Sequence, residues 1–466
     1  MTLKEKIKEN AGFQYVVEHL EILSSATRRM LNDTTMMHDP QAIDLELSKI
    51  EQLCAILTDS RHAKIVTEVR HAFMQLHDSS STLQHIASHI TLDEVELFEV
   101  KQLSFLSAQV RQGVAALGLS GQLSVPDLTE VFALLDPDHT GLPNFYLYDS
   151  YDPRLAPIRK EMKQCQQDPS EASRERLAAL FAEHDKVQQE VRQRLSDRLH
   201  PHTDSLQAAL HQMAYCDLLF AKAQQALDWH LCRPTLDANV TRYNGLFNPR
   251  LLHHNEQRGL RYQPVDIEIR PGVCFITGAN MAGKTVLLKS IATAQMMAQF
   301  GMFVPAESAT LHPVREVKLC IGDEQNEMNG LSSFASEILK ISDTLKSSAA
   351  QQTLILIDEP ARTTNPTEGK AIVQSLASLL DKRDSFTLIT THYSQLQLTC
   401  RRLRVKGFTE TMADEALTAE NINRFIDYSL VEDNSDEVPQ EALRIATLLG
   451  CDQELIETAK KKLHGA

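Results

Sequence analysis

The sequence predicts a mainly α-helical first half followed by an α/β domain with a parallel sheet built around a phosphate-binding loop, and a closing helix-turn-helix. Three observations predict it. From Lys4 to Leu117 apolar residues recur three and four apart with few glycines, as at Val16, Leu20 and Leu23 and at Leu47, Ile50, Leu53 and Leu57, which is the helical period. From Val265 to Leu398 β-type runs alternate with helical ones, the order that yields a parallel sheet. Inside that second stretch stands Gly278-Ala279-Asn280-Met281-Ala282-Gly283-Lys284-Thr285, a complete G-x-x-x-x-G-K-[ST] match.

Taken in order, residues 1–157 are expected as a helical core domain. Its end is broken by glycines and prolines between Gly118 and Pro157, and Asn144-Phe-Tyr-Leu-Tyr148 there reads as a short strand or an aromatic docking element. Residues 158–200 are glycine-free and strongly charged, interrupted near Asp168-Pro169-Ser170, and read as an antiparallel helical hairpin turning there. Residues 201–240, with a helical run from Ser205 to Trp229, return the chain to the helical core. Residues 241–430 form the α/β domain, and 431–466 close the chain as two short helices with a turn at Gly450-Cys-Asp452.

Composition bounds the function classes. No run approaches 18 uninterrupted apolar residues, so no membrane span is expected. Met1 to Phe13 is polar and mixed in charge, without the apolar stretch of a signal peptide. The eight cysteines are scattered without a Cys-x-x-Cys pair, which suits reduced thiols in a cytoplasm. The formal charge of −15 supplies no global positive field for nucleic-acid phosphates.

The phosphate loop has the surroundings its chemistry needs. Val273-Cys-Phe-Ile-Thr277 is a β-type run before it, and Val286 to Phe300 a glycine-free helical run after it. Glycines let backbone N–H groups turn toward phosphates, and a helix N-terminus adds its positive dipole end. Lys284 would reach the β- and γ-phosphates and the Thr285 hydroxyl would ligate Mg²⁺. Further on, Thr353-Leu-Ile-Leu-Ile357 is a continuous apolar run ending in Asp358-Glu359, as expected of a central parallel strand covered on both faces. Asp358 would hold Mg²⁺, and Glu359 would polarise the attacking water as general base. Phe386-Thr-Leu-Ile-Thr-Thr391 ends in His392; a histidine there is either a satisfied polar strand end or a γ-phosphate sensor, and its place after two nucleotide elements favours the sensor. Between these strands, Ile321-Gly-Asp-Glu-Gln325 leads to Ser332-Ser333-Phe334 and Glu337, a polar loop followed by a helix N-cap. An N-terminus bearing hydroxyls can also receive a phosphate.

Together these segments resemble the MutS family of ATPases. The family's loop reads Gly-Pro-Asn-Met-Gly-Gly-Lys-Ser/Thr; this chain keeps Asn280 and Met281 and has Ala279 and Ala282 at the Pro and second Gly positions. Ile321–Gln325, Ser332–Phe334, Asn365-Pro-Thr-Glu-Gly369 and Thr391-His-Tyr393 are similar to the bacterial MutS paralogue group associated with recombination control. The resemblance implies an ATPase (ATP and water to ADP and phosphate) with Mg²⁺, working as a homodimer through the ATPase domain and C-terminal helices. Ser332 and Ser333 would contact the partner's γ-phosphate, and Gln325 would sit near Mg²⁺ and the attacking water. It also implies a MutS-like helical core from Arg29 through Leu57, lever and clamp helices at Ile158 to Leu199, and a dimerising helix-turn-helix at Ala442 to Leu463.

The departures bear on substrate. Asp358-Glu359 is followed by Pro360-Ala361 instead of Ile/Leu-Gly. The position of the family's aromatic under the adenine falls at Leu260, with Tyr262 nearby. No mismatch-reading domain is expected ahead of the helical core, and no nuclease module after it. The hairpin is nearly neutral, with nine Lys/Arg against eight Asp/Glu between Leu155 and His200. Three readings stay open: a DNA-binding clamp for branched or mismatched structures in repair or recombination, a protein-remodelling ATPase similar to those that reactivate cobalamin-dependent amino-acid aminomutases, and an ATP-binding scaffold. The intact Glu359 speaks against the last.

Overall fold

The structure, a computed structural model, describes residues 2–464 except 238, 280–281, 322–332, 348–351, 395, 397–398, 409–424, 434–442, 444–445 and 448–449. The first half is helical: α1 (Leu3–Glu9), α2 (Ala11–Glu18), α3 (Ser25–Asp33), α4 (Pro40–Thr58), α5 (Ala63–Met74), α6 (Ser80–Ala87), α7 (Glu94–Ala116), α8 (Thr129–Leu135), α9 (Leu155–Gln167), α10 (Glu171–Leu199) and α11 (Thr203–Asp228). None of the described helices is long and apolar enough to cross a membrane. All eight cysteines are free thiols.

Two compact units divide the chain. The helical unit comprises residues 21–34 and 52–224. Its central helix is α7, opened by a capping box in which Asp93 accepts from Glu96 N–H while Glu96 accepts from Asp93 N–H, satisfying two otherwise orphaned donors. Leu97, Val100, Leu103, Leu106, Val110 and Val114 are all buried along it, more than one face of a surface helix. At Gly113 a Cβ would lie 2.2 Å from Val69 Cγ2, so only glycine lets α5 approach there. Helices α9 and α10 turn at Asp168–Ser170, and their cross-links run antiparallel: Arg176 with Glu161, His184 with Arg159, Glu190 with Arg154. Of the two readings of Asn144–Tyr148, a short strand or an aromatic docking element, no strand forms. Tyr148 instead turns inward, and the Lys101 ammonium lies 5.3 Å from its ring centroid.

The nucleotide unit comprises residues 1–20, 35–51 and 225–466, so the units cut the chain differently from the expected 1–157 helical domain. The reason is long-range packing. Lys6 Nζ donates to Val317 O, Asn10 Nδ2 donates to Thr293 Oγ1, and Phe13 stacks on Phe300 at 5.3 Å. Helices α4 and α11 have residues in both units.

The strands of this unit are β1 (Thr235–Leu236), β2 (Thr241–Leu246), β3 (Val265–Ile269), β4 (Gly272–Thr277), β5 (Ser308–Leu311), β6 (Glu316–Cys320), β7 (Thr353–Ile357), β8 (Ser385–Thr390), β9 (Arg401–Phe408) and β10 (Ile426–Glu432). They form a four-stranded sheet in the order β1-β5-β2-β3 and a six-stranded sheet in the order β10-β9-β4-β8-β7-β6. In the larger sheet β9, β4, β8, β7 and β6 are parallel and β10 is an antiparallel edge. Every residue of β7 and β8 is buried, as a sheet covered on both faces requires. The remaining helices are α12 (Pro249–Gln257), α13 (Lys284–Gln299), α14 (Ser333–Ser347) and α15 (Pro366–Leu380). Of the expected closing helix pair, the turn at Gly450 (φ +70°) and the helix Gln453–His464 are described; most of the helix before them lies outside the described residues.

Candidate active site

Strand β4 leads into the loop Gly278–Gly283, and α13 begins at Lys284. Gly278 (φ +146°) and Gly283 (φ +72°) hold backbone conformations that a Cβ resists. A Cβ at Gly283 would also stand 3.1 Å from the Tyr428 ring. The buried Lys284 ammonium donates to Gly278 O at 2.7 Å and Ala279 O at 3.0 Å and lies 3.3 Å from Glu359 Oε1.

Because β8 lies between β4 and β7, three strand ends meet at one edge, where open α/β sheets gather their ligands. Asp358 follows β7, and both its carboxylate oxygens are engaged. Thr285 Oγ1 donates to Oδ2 and Thr390 Oγ1 donates to Oδ1, each at 2.6 Å. The Thr390 hydroxyl also accepts from Glu359 N–H at 2.9 Å. Glu359 stands between Lys284 and Arg362, with Arg362 Nη1 3.4 Å from its Oε2. Its backbone is left-handed, φ +44°. His392 follows β8, its ring 4.3 Å from that of Tyr393. Desolvation pushes the His392 imidazole below its usual range; Glu359 pulls the other way, and Lys284 and Arg362 add to the fall.

Thus Gly278, Ala279, Ala282, Gly283, Lys284, Thr285, Asp358, Glu359 and His392 converge. Asn280, Met281, Gln325 and Ser332 lie outside the described residues, as does the side chain of Ser333, the first residue of α14. Sequence reasoning missed Thr390, whose only signal was its place at the end of a buried strand.

Of the two residues expected near an adenine, Tyr262 lines a pocket and Leu260 does not. Beside Ala282 and Gly283 lies a pocket of about 280 Å³ lined by Leu251, Tyr262, Val286, Val405 and Tyr428. Leu260 is not among its lining residues. Burial pushes the Tyr262 hydroxyl up to about 12, and that hydroxyl accepts from Asn248 N–H at 2.7 Å.

Thr285 and Asp358 offer hard oxygen donors at one point, which suits Mg²⁺. No group of three or more His, Cys, Asp or Glu able to hold a metal occurs among the described residues. A divalent ion here would draw most of its ligands from phosphates and water, the usual pattern for Mg²⁺.

A glycine loop between a central strand and a helix N-terminus, with a lysine and threonine facing a strand-end Asp-Glu, defines a P-loop nucleotide-binding domain. MutS domain V matches residues 274–465. Residues 274–465 thus carry a domain of the MutS family of ATPases. Endonuclease MutS2 of Lachnospira eligens is 33% identical over 207 residues, covering 44% of this chain and 26% of that protein. Endonuclease MutS2 of Symbiobacterium thermophilum is 35% identical over 224 residues, 46% of this chain and 26% of the relative. That of Gemmatimonas aurantiaca is 29% identical over 297 residues, 62% and 34% respectively. The chain spans about a quarter to a third of these relatives' length.

Proposed function

We propose that the chain binds and hydrolyses ATP with Mg²⁺ at this site, as a homodimer with composite sites, and uses the cycle to change its grip on branched or mismatched DNA. The observation that carries the ATPase reading is the Asp358 carboxylate, held by Thr285 from the phosphate-loop helix and Thr390 from the neighbouring strand, with Glu359 beside Lys284. Thr285 and Asp358 would hold Mg²⁺, which when bound neutralises charge on the phosphate oxygens. Backbone N–H groups of Gly278 to Gly283, with Asn280 and Met281, would cradle the phosphates, and Lys284 would move from the loop carbonyls onto the β- and γ-oxygens. Glu359 takes the proton as a water oxygen attacks the γ-phosphorus; the bond to the bridging oxygen breaks, and ADP leaves with the electron pair. His392 donates to the γ-phosphate. Gln325 orients the water, and Ser332 and Ser333 reach the partner's nucleotide. The base fits the pocket beside Gly283, with Tyr428 and Tyr262 supplying aromatic surface in place of Leu260.

The relatives' name, endonuclease, points to a nucleic acid, which we take to be DNA, with the hairpin α9–α10 as lever or clamp and the closing helices as a dimer contact. A second reading rests on charge. With −15 overall and a nearly balanced hairpin, few phosphate neutralisations are on offer, which favours remodelling of a protein client such as a cobalamin-dependent aminomutase.

Salt titrations of binding to duplex, mismatched and four-way-junction DNA, with and without ATP, separate the two. Each neutralised phosphate contributes about −0.9 to the slope of log K against log salt. Plain duplex is expected to bind weakly, on the order of 10⁻⁴ to 10⁻⁶ M at physiological salt, with ATP-dependent preference for the junction. No binding to any of the three would transfer the reading to a protein client.

A further inference from the structure

Two residues beyond Glu359, Ala361 is fully buried with φ +61°. With Glu359 at φ +44° and Pro360 between them, the turn holds two L-residues in the left-handed region, where Cβ crowds the carbonyl oxygen. Such backbone persists only when its surroundings over-determine it. Here three elements do so. Ala361 N–H donates to Glu337 Oε1 of α14 at 2.6 Å, and Ala361 O accepts from the Tyr393 hydroxyl, beyond β8, at 2.8 Å. Gly369 of α15 makes room for that hydroxyl, since a Cβ there would stand 2.1 Å from Tyr393 Oη and 3.1 Å from Ala361 O. Tyr393 is itself fixed by its N–H donating to Thr391 Oγ1 at 3.0 Å. The Asn365–Gly369 and Thr391–Tyr393 segments thereby acquire a physical role that the nucleotide contacts do not use.

We propose that Glu337 and Tyr393 are positioning residues. They grip Ala361 by its N–H and its C=O, hold the Glu359–Ala361 turn in its left-handed form, and so set the aim of the Glu359 carboxylate. Glu337 lies four residues into α14 from Ser333, one helical turn, so a single hydrogen bond joins the start of α14 to the turn bearing Glu359. Burial pushes the Glu337 carboxyl up, while the Ala361 N–H and Arg362 pull it back, as expected of a half-buried carboxyl holding a backbone donor. The proposal rests on Glu359 acting as the base and deepens that reading.

The test measures kcat, nucleotide Kd and hydrogen exchange at the Ala361 amide in the full chain. Glu337→Ala and Tyr393→Phe are expected to lower kcat by about 10- to 100-fold, the scale of a misplaced catalytic group, with Kd within about twofold. Glu337→Ala exposes the Ala361 amide to exchange, whereas Glu337→Gln keeps an acceptor oxygen and retains both protection and most of kcat. Adding Ala361→Gly restores part of the lost kcat, because glycine adopts this φ without a clamp. Tyr393→Phe removes one hydroxyl only and serves if Glu337→Ala does not fold. Unchanged kcat in Glu337→Ala and Tyr393→Phe, with or without amide protection, would overturn the proposal. Wild-type hydrolysis by Glu359→Gln would instead overturn the base reading, while the amide exchange still reports whether the clamp exists.

Discussion

Lys101 in the helical unit and Lys284 in the nucleotide unit are both buried, and they are satisfied in opposite ways. Lys101 is 0% exposed and its ammonium donates to Asp136 at 3.0 Å, Asn144 O at 2.9 Å and Tyr148 Oη at 3.2 Å, over the rings of Phe132 and Tyr148. Asp136 is closed in turn by Thr140 Oγ1 and Gly141 N–H. Every group in that cluster has its partner within the fold, and the cluster pins the irregular segment 136–151 to α7. Lys284 donates to two carbonyls of its own loop and lies near a carboxylate shared with Arg362. Those are partners a phosphate can replace. A buried charge with complete, fixed partners builds structure, whereas one held by exchangeable partners is poised for a ligand.

The sharpest way to break this contrast is to make the same substitution at both lysines. Lys101→Met strands a buried Asp136 and is expected to cost about 3–5 kcal/mol of stability, the scale for removing one partner of a buried pair, read by urea unfolding. Lys284→Met should cost less stability than Lys101→Met, because Glu359 keeps Arg362, yet it should abolish ATP binding. Equal stability losses at the two sites would end the contrast.

A smaller effect sharpens it through pH. Burial pushes the Asp136 carboxyl up, but the Thr140 hydroxyl, the Gly141 N–H and the Lys101 ammonium outweigh this and bring it down to about 2. A depressed carboxyl contributes stability that is present above its unfolded value and lost as pH falls through its folded value. The urea midpoint of the helical unit should therefore fall between pH 4 and 2, roughly the interval from the free carboxylate value to the folded one. Asp136→Asn should flatten that limb; an unchanged limb would remove Asp136 from the acid response.

The sequence made the site's local parts legible because each is a contiguous pattern. Strand, glycine loop and helix run from Val273 to Phe300, and an apolar strand ends in Asp358-Glu359. What it hid depends on distance or on backbone conformation. Tyr428 reaches the pocket from an edge strand well over a hundred residues beyond Gly283. Residues 2–20 join the nucleotide unit through pairs such as Asn10 with Thr293 and Phe13 with Phe300, which no helical period records. The positive φ at Ala361 is signalled only by the glycine of the resembled family at that position, and Glu337 and Tyr393 carry no local sign of holding it. The aromatic run at Asn144–Tyr148 allowed a strand or an aromatic docking element, and only long-range contacts around Lys101 decide for the second.

The central claim is that Glu359, beside Asp358 and Lys284, turns a bound nucleotide over. It is tested most directly by measuring ATP binding and phosphate release for wild type and Glu359→Gln side by side. Glu359→Gln should bind ATP as tightly as wild type and release phosphate slower by about 10²- to 10⁴-fold, the range for a lost general base. Phosphate release at the wild-type rate by Glu359→Gln would contradict the account.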